Sequence, residues 1–138
     1  MKRLAWTVSL LMLPLLSACE NSAASFLVDN DKNHSISLLR EQRWFWSGEV
    51  EQKVVASRFP SCQRRVAVNP DTTAFTEMKV YQHDERVFTI QQGNQWWVVG
   101  TESCVVQKFA TPPKDPGELM GSFQRKNGDL VFVPVAGS

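Results

Sequence analysis

Polar and apolar residues alternate along much of the chain from Ser35 onward, and the alternation predicts strands. Val50, Gln52, Val54 and Ala56 alternate with Glu49, Glu51 and Lys53, the pattern of a half-buried strand. Cys62, Arg64, Val66 and Val68 share one face of the next strand, and Asn69-Pro70-Asp71-Thr72 reads as the turn that ends it. Met78 and Val80 mark a further strand, Val87 to Ile90 another, and His83-Asp84-Glu85 fits a turn between them. Gly93-Asn94 separates that strand from Trp96 to Gly100, and Cys104 to Phe109 continues after a bend near Gly100. Asn127-Gly128 stands between Phe123 and the run Leu130 to Val133, and Asn-Gly between apolar runs is a strong hairpin signal. Ile36 to Gln42 and Gly117 to Met120 are compatible with short helices. The expected fold is mainly β: a single small antiparallel domain, a meander or small barrel, with at most one or two short helices.

The first nineteen residues depart from this pattern. Lys2 and Arg3 precede an apolar run from Leu4 to Leu16, interrupted only by Thr7, Ser9 and Pro14. A bilayer-spanning helix needs about 20 apolar residues. The shorter run suits the core of an export signal, and no second apolar stretch follows it. Leu16-Ser17-Ala18-Cys19 resembles the lipobox of bacterial lipoproteins. The resemblance implies diacylglyceryl transfer to the Cys19 thiol, cleavage before Cys19, and acylation of the new amino group. Several acyl chains give lasting attachment where one gives only marginal binding. In that family's sorting pattern an aspartate after the cysteine favours inner-membrane retention. Glu20 departs from it and points to the outer membrane, facing the periplasm. Residues 20–34 are mostly small and polar and read as a flexible tether, with Phe26-Leu27-Val28 placed to dock back. The expected organisation is therefore a signal peptide over 1–18, a lipidated N-terminus and tether over 19–34, and a β-rich domain over 35–138.

Removing residues 1–18 from the 138 leaves 120, one domain's worth and enough to bury a core. Lys2 and Arg3 leave with the signal, so 15 basic residues become 13 against 14 acidic ones. That balance argues against a nucleic-acid partner, which normally meets a basic excess. Once Cys19 carries lipid, Cys62 and Cys104 remain as an even pair in an oxidising compartment and read as one disulfide. No CxxC occurs, and only His34 and His83 would add ligands, so no metal site is expected.

Candidate chemistry is sparse. Trp44, Trp46, Trp96 and Trp97 are the possible ligand contacts, as a platform on which sugar rings stack. Large aromatic side chains equally build the cores of small β domains. Trp44 and Trp46 are expected on one face of a strand with Phe45 opposite, and Trp96 and Trp97 on opposite faces. His83-Asp84 is the only His–Asp neighbourhood, and it lies in a polar turn without a nucleophile at hand. Glu41, Glu49, Glu51, Glu77 and Glu102 offer no pair singled out by spacing. There is no GxSxG, P-loop, GxGxxG or calcium-loop pattern, so neither a catalytic residue nor a cofactor is expected. If the strands carrying Cys62 and Cys104 are antiparallel neighbours with the cysteines opposed, Arg64 falls opposite Glu102 as a structural ion pair.

A second resemblance covers most of residues 36–133. Arg40-Glu41-Gln42 with Phe45-Trp46, then Arg58, Pro60 and Cys62-Gln63-Arg64-Arg65, then Thr101-Glu102 and Cys104, resemble a family of small uncharacterised proteobacterial proteins. Gly121, Phe123, Gly128, Leu130 and Phe132 fit its C-terminal end. It implies no activity. The chain also invites comparison with the membrane-bound lysozyme inhibitors, small lipidated β-barrels with a disulfide, but beyond a bare Ser47-Gly48 it lacks their Ser-Gly-containing loop motif. The sequence thus predicts a non-enzymatic envelope lipoprotein, held to the membrane by lipid, whose domain contacts another envelope protein or shapes the envelope. The alternative is a binding domain for a glycan or small ligand, inhibitor-like in kind.

Overall fold

Ten strands follow one another through residues 20–136, the part of the chain that this computed structural model describes. The export signal expected over residues 1–18, and Cys19, lie outside the described residues. The strands are β1 (Asn21–Leu27), β2 (His34–Glu41), β3 (Glu49–Arg58), β4 (Cys62–Thr72), β5 (Met78–Asp84), β6 (Val87–Gln92), β7 (Gln95–Gly100), β8 (Val105–Lys108), β9 (Glu118–Lys126) and β10 (Asp129–Pro134). They form two antiparallel sheets, one in the order β1-β2-β3-β4 and one in the order β10-β9-β5-β6-β7-β8. The mainly β, antiparallel expectation holds. The sheets do not close into one barrel, and no α-helix occurs among the described residues.

Period-two burial explains which faces meet. Ile36 and Leu38 of β2 pair with Ala56 and Val54 of β3, and all four are buried. Val80, Ile90 and Trp97 succeed one another across the second sheet, beside Phe88, Val99 and Phe123. Facing one another, these residues make one core. At one seam between the sheets, Phe26 of β1 packs against Phe132 of β10, ring centroids 4.8 Å apart, and Phe132 meets Phe123 edge-on. At the other seam the Cys62–Cys104 disulfide joins the start of β4 to the loop before β8, with Cα atoms 5.9 Å apart.

Antiparallel register gives the sandwich two ends. The first end gathers residue 20, the β2–β3 loop, the β4–β5 connection and the turns at 93–94 and 127–128. The second gathers the residues between β1 and β2, the β3–β4 turn, the β5–β6 turn and the disulfide. Asn127 and Gly128 both have positive φ, the geometry of the expected hairpin turn. Gly121 sits at a bulge, where β9 slips by one residue against Val80 and Tyr81 of β5. Its φ of 151° and the Val133 carbonyl oxygen 2.3 Å from where a Cβ would stand exclude other residues there.

Several expectations are corrected. Residues 21–27 are not tether but β1, paired with β2 along its whole length; Phe26 and Val28 are buried, so the segment is part of the fold. Ile36 to Glu41 and Glu118 to Met120 are strand rather than helix, because sheet pairing overrides an ambiguous short apolar run. Asn69 to Thr72 continue β4 past a bulge at Val50/Gln52 instead of turning. The assumed register between the cysteine-bearing strands is also wrong. Strand β4 pairs with β3, where Arg64 faces Ala56, and the disulfide joins two sheets rather than neighbouring strands. Arg64 is exposed, and Glu102 pairs with Arg86 and Arg58 instead.

Candidate functional site

Inward positions of β2 run Ile36, Leu38, Arg40, so the alternation that builds the core also delivers a guanidinium into it. Arg40 is 0 % exposed. A buried cation is costly unless paired and hydrogen-bonded, and every donor of this one is used. Nε donates to Glu20 Oε1 at 2.8 Å. One terminal nitrogen donates to Gln52 Oε1 at 2.8 Å and Asp71 Oδ2 at 2.9 Å. The other donates to Glu20 Oε2 at 3.3 Å and the Thr72 carbonyl at 2.9 Å. A guanidinium has five N–H groups, so none is left for a ligand. The Phe75 ring lies 4.6 Å from the guanidinium carbon. Gln52 passes the network to Gln92, which donates to the Thr76 carbonyl.

Both carboxylates respond to this setting. Burial alone raises the Glu20 carboxyl, but the hydrogen bond and charge of Arg40, the Ser22 hydroxyl and the charge of Arg125 outweigh it and lower it below 4.5. Burial likewise opposes ionisation of Asp71. The backbone N–H groups of Thr76 and Thr72, the Thr76 hydroxyl and Arg40 bring it below 3.8.

Glu20 is also held through its backbone. Its N–H donates to Gln42 Oε1 at 3.1 Å, and its carbonyl accepts from the Gln42 N–H at 2.7 Å. The Gln42 side-chain amide then donates to the carbonyl of Ser47 at 2.6 Å, closing the β2–β3 loop on itself. Trp44, Phe45 and Trp46 stand on that loop, 55 %, 50 % and 67 % exposed. They are not on a strand as expected, so the face alternation argued for them does not apply. The two indoles stack at 5.3 Å with 14° between their planes, and Phe45 meets Trp46 edge-on at 4.7 Å. Beside them opens a mostly polar cleft of about 840 Å³ lined by Glu20, Gln42, Phe45, Arg125 and Asp129 among others.

The other two tryptophans lie apart from this cluster. Trp97 is core, and Trp96, half-buried on the opposite face of β7, stacks against Tyr81 at 5.8 Å. At the far end of the sandwich, His34 Nε2 shares a 2.7 Å hydrogen bond with Thr101 Oγ1. Burial and the Arg58 charge lower the His34 pKa against the opposing pull of Asp31 and Asp29. Arg58 donates to the carbonyls of Thr101 and Glu102, both at 2.9 Å, tying β3 to the disulfide-bearing loop. His83 and Asp84 are exposed. Among the described residues, no three His, Cys, Asp or Glu side chains gather where a metal ion would sit.

The sequence reading missed the Arg40 network. Its one signal was an arginine two positions after Leu38, in step with the buried face. Compared with protein-family models, with curated proteins and with solved structures, the chain matches none.

Proposed function

We propose that this chain is the precursor of an outer-membrane lipoprotein whose β-sandwich acts without catalysis, by contact with another envelope protein. Residues 1–18 are the export signal, and Cys19 carries the lipid. The observation that carries this reading is the capture of Glu20. The residue next to Cys19 is fixed by Arg40, Arg125 and Gln42, so the fold begins where the anchor ends. A domain attached without slack has one end at the membrane and the other turned outward. The outward end carries Phe59, Leu27 and Val105, apolar and exposed on three separate elements, a composition suited to a protein partner. Saturation of Arg40, the one deeply buried charge among the described residues, favours a structural role for it over a reacting one.

Fractionation tests the anchor. Cys19→Ala should leave the membrane fraction after a carbonate wash while the wild type stays. A photocrosslinking residue at position 59 should give a discrete protein adduct in cells, and one at exposed Arg64 should not. Equal retention of Cys19→Ala refutes the anchor, and no adduct from position 59 refutes the partner at that end.

A second reading rests on the exposed Trp44-Phe45-Trp46 cluster beside its polar cleft, a place for a glycan to stack. Peptidoglycan fragments should then shift tryptophan emission, and Trp46→Ala should abolish the shift without unfolding the domain.

A further inference from the structure

The aromatic loop sits at a particular place. Among the exposed large apolar residues Leu27, Trp44, Phe45, Trp46, Phe59, Val105 and Leu119, the three on the β2–β3 loop are the ones at the end of the sandwich where Glu20 enters. That loop is hydrogen-bonded to Glu20 through Gln42. Cys19 is the next residue along the chain.

We infer that Trp44, Phe45 and Trp46 form a membrane-interface wedge, bedding into the headgroup layer of the bilayer that holds the lipid of Cys19. The inference rests on the lipid-anchor reading of Cys19. Acyl chains on Cys19 bring the base of the loop to the bilayer surface. From Gln42 to Trp44 the chain spans at most about 7 Å, comparable with the roughly 5–10 Å to which interfacial apolar faces sink. Tryptophan favours this layer because its ring is apolar and its N–H is not. Arg43, exposed beside the rings, suits the phosphates there.

The geometry fits a bilayer better than a sugar. Trp44 and Trp46 stack on one another and Phe45 meets Trp46 edge-on, so the facing sides of the two indoles are closed to a pyranose. What remains exposed is apolar bulk, which a fluid interface accepts without demanding a fixed partner geometry. Gln42 ties the loop's base to Glu20, and Arg40 ties Glu20 to the core, so the wedge and the anchor together set how the sandwich stands on the membrane.

The test uses the lipidated full-length product. It is reconstituted into vesicles of phosphatidylethanolamine and phosphatidylglycerol doped with phosphatidylcholine brominated near the headgroup end of its acyl chains. Tryptophan emission should be quenched in the wild type. The Trp44→Ser/Trp46→Ser variant, which reports Trp96 and Trp97 alone, should show little quenching while keeping its circular dichroism and its vesicle attachment. Attachment without quenching overturns the wedge and leaves the anchor reading standing. A product that fails to float with vesicles and bears no lipid on Cys19 overturns the anchor reading itself. Absent quenching together with a shift on adding peptidoglycan fragments assigns the cluster to glycan and also overturns the wedge.

Discussion

Replacing Arg40 by methionine removes the charge while keeping a long apolar side chain. The side chain has no exposed surface, and its loss strands partners that are themselves largely buried: Gln52, Asp71 and Glu20. Deleting one partner of a buried ion pair costs about 3–5 kcal/mol, because the remaining charge is left desolvated. Asp71 keeps Thr76, and Glu20 keeps Arg125, so the lower half of that range, about 3 kcal/mol, is the expected loss. For a domain whose whole stability is about 5–15 kcal/mol that is a large fraction. The pH dependence identifies the cause. Both carboxyls titrate lower in the folded protein than their ordinary 4.5 and 3.8. Their contribution is present in full above those ordinary values and is lost as pH falls through the lowered folded values. Without Arg40, burial is no longer outweighed as strongly, so the variant's carboxyls give up less stability on protonation. The gap between wild type and Arg40→Met should therefore be widest near neutral pH and narrow as pH falls below about 4. Urea unfolding followed by circular dichroism at a series of pH values measures it. A loss under about 1 kcal/mol near neutrality, or a gap that does not change with pH, would refute the reasoning.

Other perturbations have distinct signatures. Cys62→Ser/Cys104→Ser opens a loop whose ends are separated by 42 positions, and loop entropy puts the loss at up to roughly 4 kcal/mol, read by the same urea assay. Gly121→Ala drives a Cβ against the Val133 carbonyl and the Pro134 Cα in a left-handed backbone, so it should cost more than about 2 kcal/mol and weaken amide-exchange protection in β9 and β10. Arg64→Ala, on an exposed side chain without the ion pair first expected of it, should change stability by no more than about 0.5 kcal/mol; a loss of several times that would mean a partner for Arg64.

How much the sequence revealed follows from how locally each feature is encoded. The β9–β10 hairpin was legible because Asn127-Gly128 carries its own turn chemistry. Strand β3 was legible because its alternation is nearly complete from Glu49 to Ala56. The Cys62–Cys104 bond was reached by elimination, without needing to know which strands touch. The Arg64–Glu102 pair failed at that very step, because it required a register and the disulfide spans two sheets. Strand β1 was read as tether because its inner face, apart from Phe26, is built from Ser22 and Ala24, too small to stand out against the polar residues between them. The candidate site was hidden for a related reason. An arginine reads as surface until the strand carrying it is known to place every second residue inside, and Glu20, Asp71 and Gln52 come to it from three distant stretches of chain. The tryptophans were visible, and strand alternation foresaw Trp96 and Trp97 on opposite faces; that Trp44 and Trp46 form an exposed stacked pair depends on a loop that the strand reading did not foresee.

The proposed anchor at Cys19 is the premise on which the assignment of a membrane-facing end and of an outward one depends, and mass spectrometry of the membrane-extracted product tests it most directly. The account predicts a chain beginning at Cys19, with a diacylglyceryl group on its sulfur and an acyl group on its amine, and with Cys62 and Cys104 oxidised. A membrane-bound product that retains residues 1–18, or that carries a free Cys19 thiol, would contradict it.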